Sequence, residues 1–175
     1  MNGFQRDKDE SDKYIRHLKA IAGQFVLDES SLEEDQRQNT DLVVLRAREV
    51  LIACRVRSAI TVDQPWRDDF TIRCERPRSG NETELDKIKR GWGSHLIYGI
   101  ASKDSPLLLA LWSVVDLNRF RRWFLREESK PEPHPWLKKS CQDGSANFLA
   151  FPCLRVPPEL FVPGHRLRYS KGQSA

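Results

Sequence analysis

"NTDLVVLRAREVLIACRVRS", residues 39–58, contains two short runs of Val, Ile and Leu separated by the polar stretch "RARE". Each run has strand length and strand composition, and the four residues between them suffice for a tight connection, so the pair predicts a hairpin over 41–45 and 50–57. Asp41 opens the first run. Arg55 and Arg57 stand one residue apart near the end of the second, and strand alternation puts both on one face. Where the chain goes on either side of this pair decides the fold class.

Upstream, Tyr14, Ile15, Leu18, Ile21, Ala22 and Phe25 recur at three- and four-residue intervals, which predicts an amphipathic helix over 11–26 capped by Ser11 or Asp12. The acidic, polar stretch "DESSLEEDQRQNT" reads as a loop into the first strand. Downstream, "DFTIRCE" (69–75) alternates Phe70, Ile72 and Cys74 with Thr71, Arg73 and Glu75, a half-buried strand. "SGNETELDKIKRGWG" predicts a short helix with Asn81 or Thr83 as cap and a stop at Gly91.

"HLIYGIAS" and "LLLALWSVVDL" read as two further strands, the second apolar enough to be covered on both faces. "NRFRRWFLRE" (118–127) is a helix with Phe120, Trp123 and Phe124 on one side and Arg119, Arg122 and Arg126 on another. "KPEPHPWLKKS" reads as a proline-rich loop, and a turn at Asp143-Gly144 leads into a last strand. The fold class is therefore α/β: one domain, a central mixed sheet flanked by helices, in the order α-β-β-β-α-β with an added strand-helix-strand. The domain is expected to occupy 11–156, between a flexible 1–10 and a basic, Pro- and Gly-containing tail over 157–175.

The 175 residues suit one domain, and 39% hydrophobic with 31% charged is a globular profile. The longest apolar run, 106–115, falls short of the roughly 20 residues that cross a bilayer, and the acidic start "MNGFQRDKDESDKY" has no leader-like apolar region. With four cysteines, too few for a disulfide scaffold, the expected location is a reducing bacterial or host cytosol.

Net charge is +4, but residues 1–40 hold 6 basic and 9 acidic side chains, leaving 23 basic against 16 acidic, or +7, in the rest. A basic body favours a polyanionic partner. Arg55, Arg57 and Arg73 lie on strands expected to be neighbours, with Arg76 and Arg78 in the following loop, a stripe suited to sequence-indifferent phosphate binding. The plainer alternative pairs these arginines with Asp41, Glu49, Asp69 or Glu75.

The element order over residues 11–102, the aspartate opening the first hairpin strand and the charged pair on the second resemble the PD-(D/E)XK nuclease-like superfamily. "DFTIRCERPRSGNETELDKIKRGWG" and "WSVVDLNRFRRW" are also similar to small nuclease-fold proteins encoded in phages and bacterial genomes. The resemblance implies a restriction-endonuclease-like core in which an Asp and a Glu bind Mg²⁺ and a Lys orients the attacking water. Asp41 falls on the family's Asp and metal ligand, Arg55 on its Glu, and Arg57 on its Lys.

Arginine has five donors, no acceptor and a fixed positive charge, so Arg55 cannot hold a metal. Asp69, Glu75, Glu82 and Glu84 are the acids available to replace it, with Glu84 and Lys87 three apart on one helical face. The leading expectation is a nucleic-acid-associated protein with a degenerate nuclease-like core and no cofactor, DNA being favoured over RNA. The alternatives are an active Mg²⁺-dependent endonuclease with rearranged acids (Asp41, Glu84 and Lys87), and a protein–protein interaction factor of a phage or bacterial system.

His134, Cys141, Cys153 and His165 are zinc-ligand types, but gaps of six, eleven and eleven residues supply no close pair, and zinc is not expected. No phosphate-binding glycine fingerprint or nucleophile elbow is present. Trp92, Trp112 and Trp123 read as core aromatics.

Overall fold

The computed structural model describes residues 12–29, 42–44, 51–57, 68–105, 107–141, 143–166 and 168–169. Asp41, the turn over 46–49 and the segments 1–10 and 170–175 lie outside the described residues.

Strand β5 (His95–Ala101) is buried along its whole length, and it organises the molecule. It pairs in parallel with β3 (Ile52–Arg57) on one side and antiparallel with β6 (Leu109–Asp116) on the other. The short β9 (Arg168–Tyr169) continues this four-stranded sheet beyond β6. A second, three-stranded sheet has the order β4 (Asp69–Glu75), β8 (Asn147–Pro152), β7 (Leu137–Ser140), all antiparallel. Strands β1 (Leu27–Glu29) and β2 (Leu42–Val44) form a two-stranded antiparallel ribbon.

Alternation along β5 and β6 sends side chains to two faces, and each face is closed by helices. On one face Ile97, Ala101, Leu109 and Val114 pack with Tyr14, Leu18 and Ile21 of helix α1 (Ile15–Val26) and of the residue before it. On the other, Leu96, Tyr98 and Val115 join Phe70 and Ile72 of β4, Phe151 of β8, and Leu85 and Ile88 of helix α2 (Glu84–Lys89). The same cluster holds Phe120, Trp123 and Phe124 of helix α3 (Leu117–Glu128). Burial on both faces, complete along β5 and over most of β6, explains why the two strands read as nearly continuous apolar runs.

The starts of α2 and α3 follow sequence rules. Thr83 caps α2 in a reciprocal box: its Oγ1 accepts from Asp86 N–H at 3.2 Å, and Asp86 Oδ2 accepts from Thr83 N–H at 2.9 Å. The Thr83 contacts hold the Asp86 carboxyl below its usual range. Asp116 caps α3 by accepting from the N–H groups of Asn118 and Arg119 at 2.9 and 3.1 Å.

Several expectations change. The predicted hairpin between the two quoted strands does not form among the described residues, because β2 pairs with β1 and β3 pairs with β5. A parallel neighbour needs a long crossover, and the chain between β3 and β5 supplies one that contains β4 and α2. Strand β4 leaves for the second sheet, so β3 and β4 are not hydrogen-bonded neighbours. Strand β7 occupies the end of the stretch read as a proline-rich loop, and β1 the start of the acidic one.

The stretch read as a tail holds described structure over 158–166. Residues 158–160 form a single 3-10 turn, Phe161 bridges to Val115, and Leu160, Phe161 and His165 are buried. Among the described residues no helix is long and apolar enough to cross a membrane.

Candidate functional site

The seam between the two sheets gathers most of the residues singled out by the sequence. Arg55 of β3 crosses to α2, where its Nη1 donates to Glu84 Oε2 at 2.7 Å. The same oxygen accepts the backbone N–H of Arg73 at 3.1 Å, so one carboxylate satisfies a β4 edge amide and ties both sheets to the helix. Phe148, cross-strand partner of Arg73, sits beneath both guanidinium groups, 4.7 Å from Arg55 and 5.7 Å from Arg73. Stacking of planar cations on a ring adds attraction without using their N–H donors.

Of the predicted partners of the arginines, Asp69 and Glu75 are otherwise engaged, and Asp41 and Glu49 lie outside the described residues. Asp69, almost fully buried, pairs with Lys139 at 3.1 Å. Glu75 accepts from Lys138 and from Asn147, and the Lys138 bond lowers its carboxyl pKa while Glu75 raises that of Lys138. Glu82 pairs with Arg90 at 2.9 Å. Strand β7, unforeseen in the sequence, delivers the two lysines.

Among the described residues, the acids that the endonuclease alternative draws on are engaged by cations. Arg55 donates to Glu84, while Asp69, Glu75 and Glu82 each hold their own cation. Among the described residues no group of three or more His, Cys, Asp or Glu converges. Asp41 lies outside the described residues.

Other cations are not neutralised. Arg57 Nη1 and Arg76 Nε are buried without a hydrogen-bond partner among the described residues. Lys87 is exposed on α2 and makes no ion pair among the described residues, Glu84 being engaged by Arg55 instead. Arg78 donates to the Asp143 carbonyl at the rim of the second sheet.

Arg76, Glu84 and Lys87 line a cavity of about 250 Å³ next to the seam, together with Trp92. Its depth is apolar, formed by the buried Ile88, Leu96 and Leu117. Trp92 is 66% exposed, which corrects its expected place in the core; Trp123 is buried as expected and Trp112 half-buried.

The exposure of Trp92 has a backbone cause. Gly91, at φ 100°, ends α2 in a Schellman motif: its N–H donates to Ile88 O, and Trp92 N–H reaches back to Lys87 O, both at 3.0 Å. Gly93 follows at φ 74°, a left-handed conformation that a Cβ strains. A tryptophan between two such glycines belongs to no helical or strand face, and "GWG" was the available signal for it.

The zinc-type residues have separate surroundings. His134 stacks on Trp136 at 4.5 Å, and His165 Nδ1 lies 3.0 Å from Pro163 O. Burial pushes the Cys153 thiol up to about 12, which leaves it protonated at neutral pH.

Comparison with known proteins returns no matching family model, no matching curated protein and no matching solved structure.

Proposed function

We propose that this chain is a nucleic-acid-associated protein built on a degenerate nuclease-like core, in which the former catalytic seam has become a structural ion-pair junction beside a cationic cavity. The observation that carries the reading is the division among its charges. The four acids able to serve in place of a missing metal ligand are each claimed by a cation, whereas Arg57, Arg76 and Lys87 have no carboxylate of their own among the described residues. Two of these cations, Arg76 and Lys87, line a concave surface suited to phosphates, and the excess of basic residues beyond residue 40 adds long-range attraction. The nuclease-like part of the reading draws support from a helix preceding the strands and from the parallel pairing of β3 and β5 with α2 in the crossover.

Arg55 changes role in this reading. It serves Glu84 and Phe148 first, and phosphate contact falls to Arg57, Arg76 and Lys87, with Arg78 extending the charge and Arg73 holding Phe148.

Equilibrium binding of the purified chain to single-stranded and duplex oligonucleotides across a salt series tests this. Affinity is expected to fall with salt, by about 0.9 log units per log unit of salt for each phosphate neutralised on duplex DNA and about 0.7 on single strands. No binding, or binding indifferent to salt, contradicts the proposal. In the same reactions Mg²⁺ or Mn²⁺ is expected to give no strand cleavage; cleavage abolished by chelator and by Asp41→Ala restores the endonuclease reading.

A further inference from the structure

Resting on the nucleic-acid reading, we infer that the cavity beside Trp92 receives a single unpaired base of a single-stranded nucleic acid, stacked on the indole, with Arg76 and Lys87 holding the adjoining phosphates. Three observations converge on this occupant.

The first is the indole itself. Trp92 is 66% exposed, and no ring among the described residues lies against it, unlike Trp123 and Trp136, which each contact several. An open π-face of this kind accepts any base, because every base has a π-face of its own.

The second is the cavity. At about 250 Å³ it lies below the roughly 300–1,000 Å³ of pockets that enclose whole small-molecule ligands. Its apolar depth of Ile88, Leu96 and Leu117 suits a flat heterocycle more than a hydrated phosphate or sugar. One base fits the space; a dinucleotide does not.

The third is the placement of charge. Lys87 and Arg76 border the same cavity as Trp92, the two acids that also line it, Glu84 and Glu82, are held by Arg55 and Arg90, and the Trp92 backbone N–H donates to the Lys87 carbonyl, so both residues sit at one helix end. A base and its neighbouring phosphates present this same pairing of an aromatic face with negative charge. Duplexes keep their bases stacked and paired, out of reach of a lone indole, so the preferred partner has unpaired nucleotides.

Fluorescence anisotropy with the full chain tests this on three probes: a labelled single strand about ten nucleotides long, the same sequence as a duplex, and an abasic strand of that length. The parent is expected to bind the base-bearing single strand more tightly than either other probe. Trp92→Ala is expected to weaken that binding roughly ten- to hundredfold while leaving the abasic probe unchanged, and Trp92→Phe to retain most of the affinity. Thermal melts of both variants check that the fold is kept, as expected for an exposed side chain. If Trp92→Ala leaves single-strand affinity unchanged, or weakens the abasic probe equally, the inference fails. Salt-dependent binding that responds to Lys87→Ala but not to Trp92→Ala removes the base site and leaves the broader proposal standing. Binding to none of the probes removes both.

Discussion

Trp123 and Trp92 occupy opposite ends of the molecule's use of aromatic and cationic residues. Trp123 is 5% exposed, with Phe120 and Trp136 at ring-centre distances of 5.9 Å and Phe151 at 6.1 Å. Two cations at that cluster are matched: Lys89 lies over Phe124 and pairs with Glu128 at 2.7 Å, and Lys139 pairs with Asp69. Trp92 has no ring neighbour among the described residues, and two of the cations lining its cavity, Arg76 and Lys87, have no ion-pair partner there. Composition alone does not separate the two regions, since both contain Trp, Lys and acid on or near α2. What differs is whether the fold completes the contacts, and where it leaves them incomplete the surface is fitted for something else.

The largest expected effect lies on the closed side. Phe151 is fully buried against Phe70 at 4.9 Å and against α3, so Phe151→Ala is expected to cost about 3–5 kcal/mol in denaturant unfolding. Trp92→Ala in the same experiment is expected to stay within about 0.5 kcal/mol. Similar costs for the two substitutions would break the comparison.

Intermediate in size is the seam. Arg55→Ala leaves Glu84 without its cation, but the two side chains retain 21% and 28% exposure, and water compensates in part. A loss of about 1–2 kcal/mol is expected, below the roughly 3–5 kcal/mol of a fully enclosed pair. Removing Glu84 as well is expected to recover little, because the Arg73 amide then also loses its acceptor. Full additivity of the two single substitutions would show that the pair is not coupled.

The smallest effect concerns α1. His17 Nδ1 accepts the Leu109 N–H at 2.8 Å, and burial lowers the imidazole pKa below its ordinary 6.5. A lowered folded-state value means the unfolded chain binds the proton more readily. This contribution to stability is therefore complete above about pH 6.5 and is lost as pH falls from there through the folded value. The melting temperature is expected to drop modestly between about pH 7.5 and about pH 5.5, with a smaller drop in His17→Gln. An equal drop in both chains would assign the effect to other groups.

Local elements were largely legible in the sequence. The strand over 69–75, the Thr83 cap, the stop at Gly91 and the helix carrying Phe120, Trp123 and Phe124 follow from alternation, capping chemistry and helical spacing. Strand pairing was less so. The quoted runs over 41–45 and 50–57 look like a hairpin because adjacency favours local partners, yet the partner of β3 is β5, some forty residues on, chosen by burial on both faces. Strand β7 was hidden because "WLKKS" has an exposed, lysine-bearing pattern and is strand only by virtue of β8. The site was half legible: Arg55 and Glu84 were named but not as each other's partner, since no sequence spacing brings residues on separate elements together. Trp92 was misplaced because large aromatics are usually core, and only its flanking glycines argued otherwise.

The division of labour between matched and unmatched cations is tested most directly by measuring salt dependence of single-strand binding and thermal stability together in Arg55→Ala and Lys87→Ala. Lys87→Ala is expected to flatten the log–log salt slope by about 0.7 while leaving the melting temperature unchanged, and Arg55→Ala to lower the melting temperature while preserving the slope. The opposite pattern, an altered slope in Arg55→Ala at unchanged stability with no change of slope in Lys87→Ala, would contradict the account.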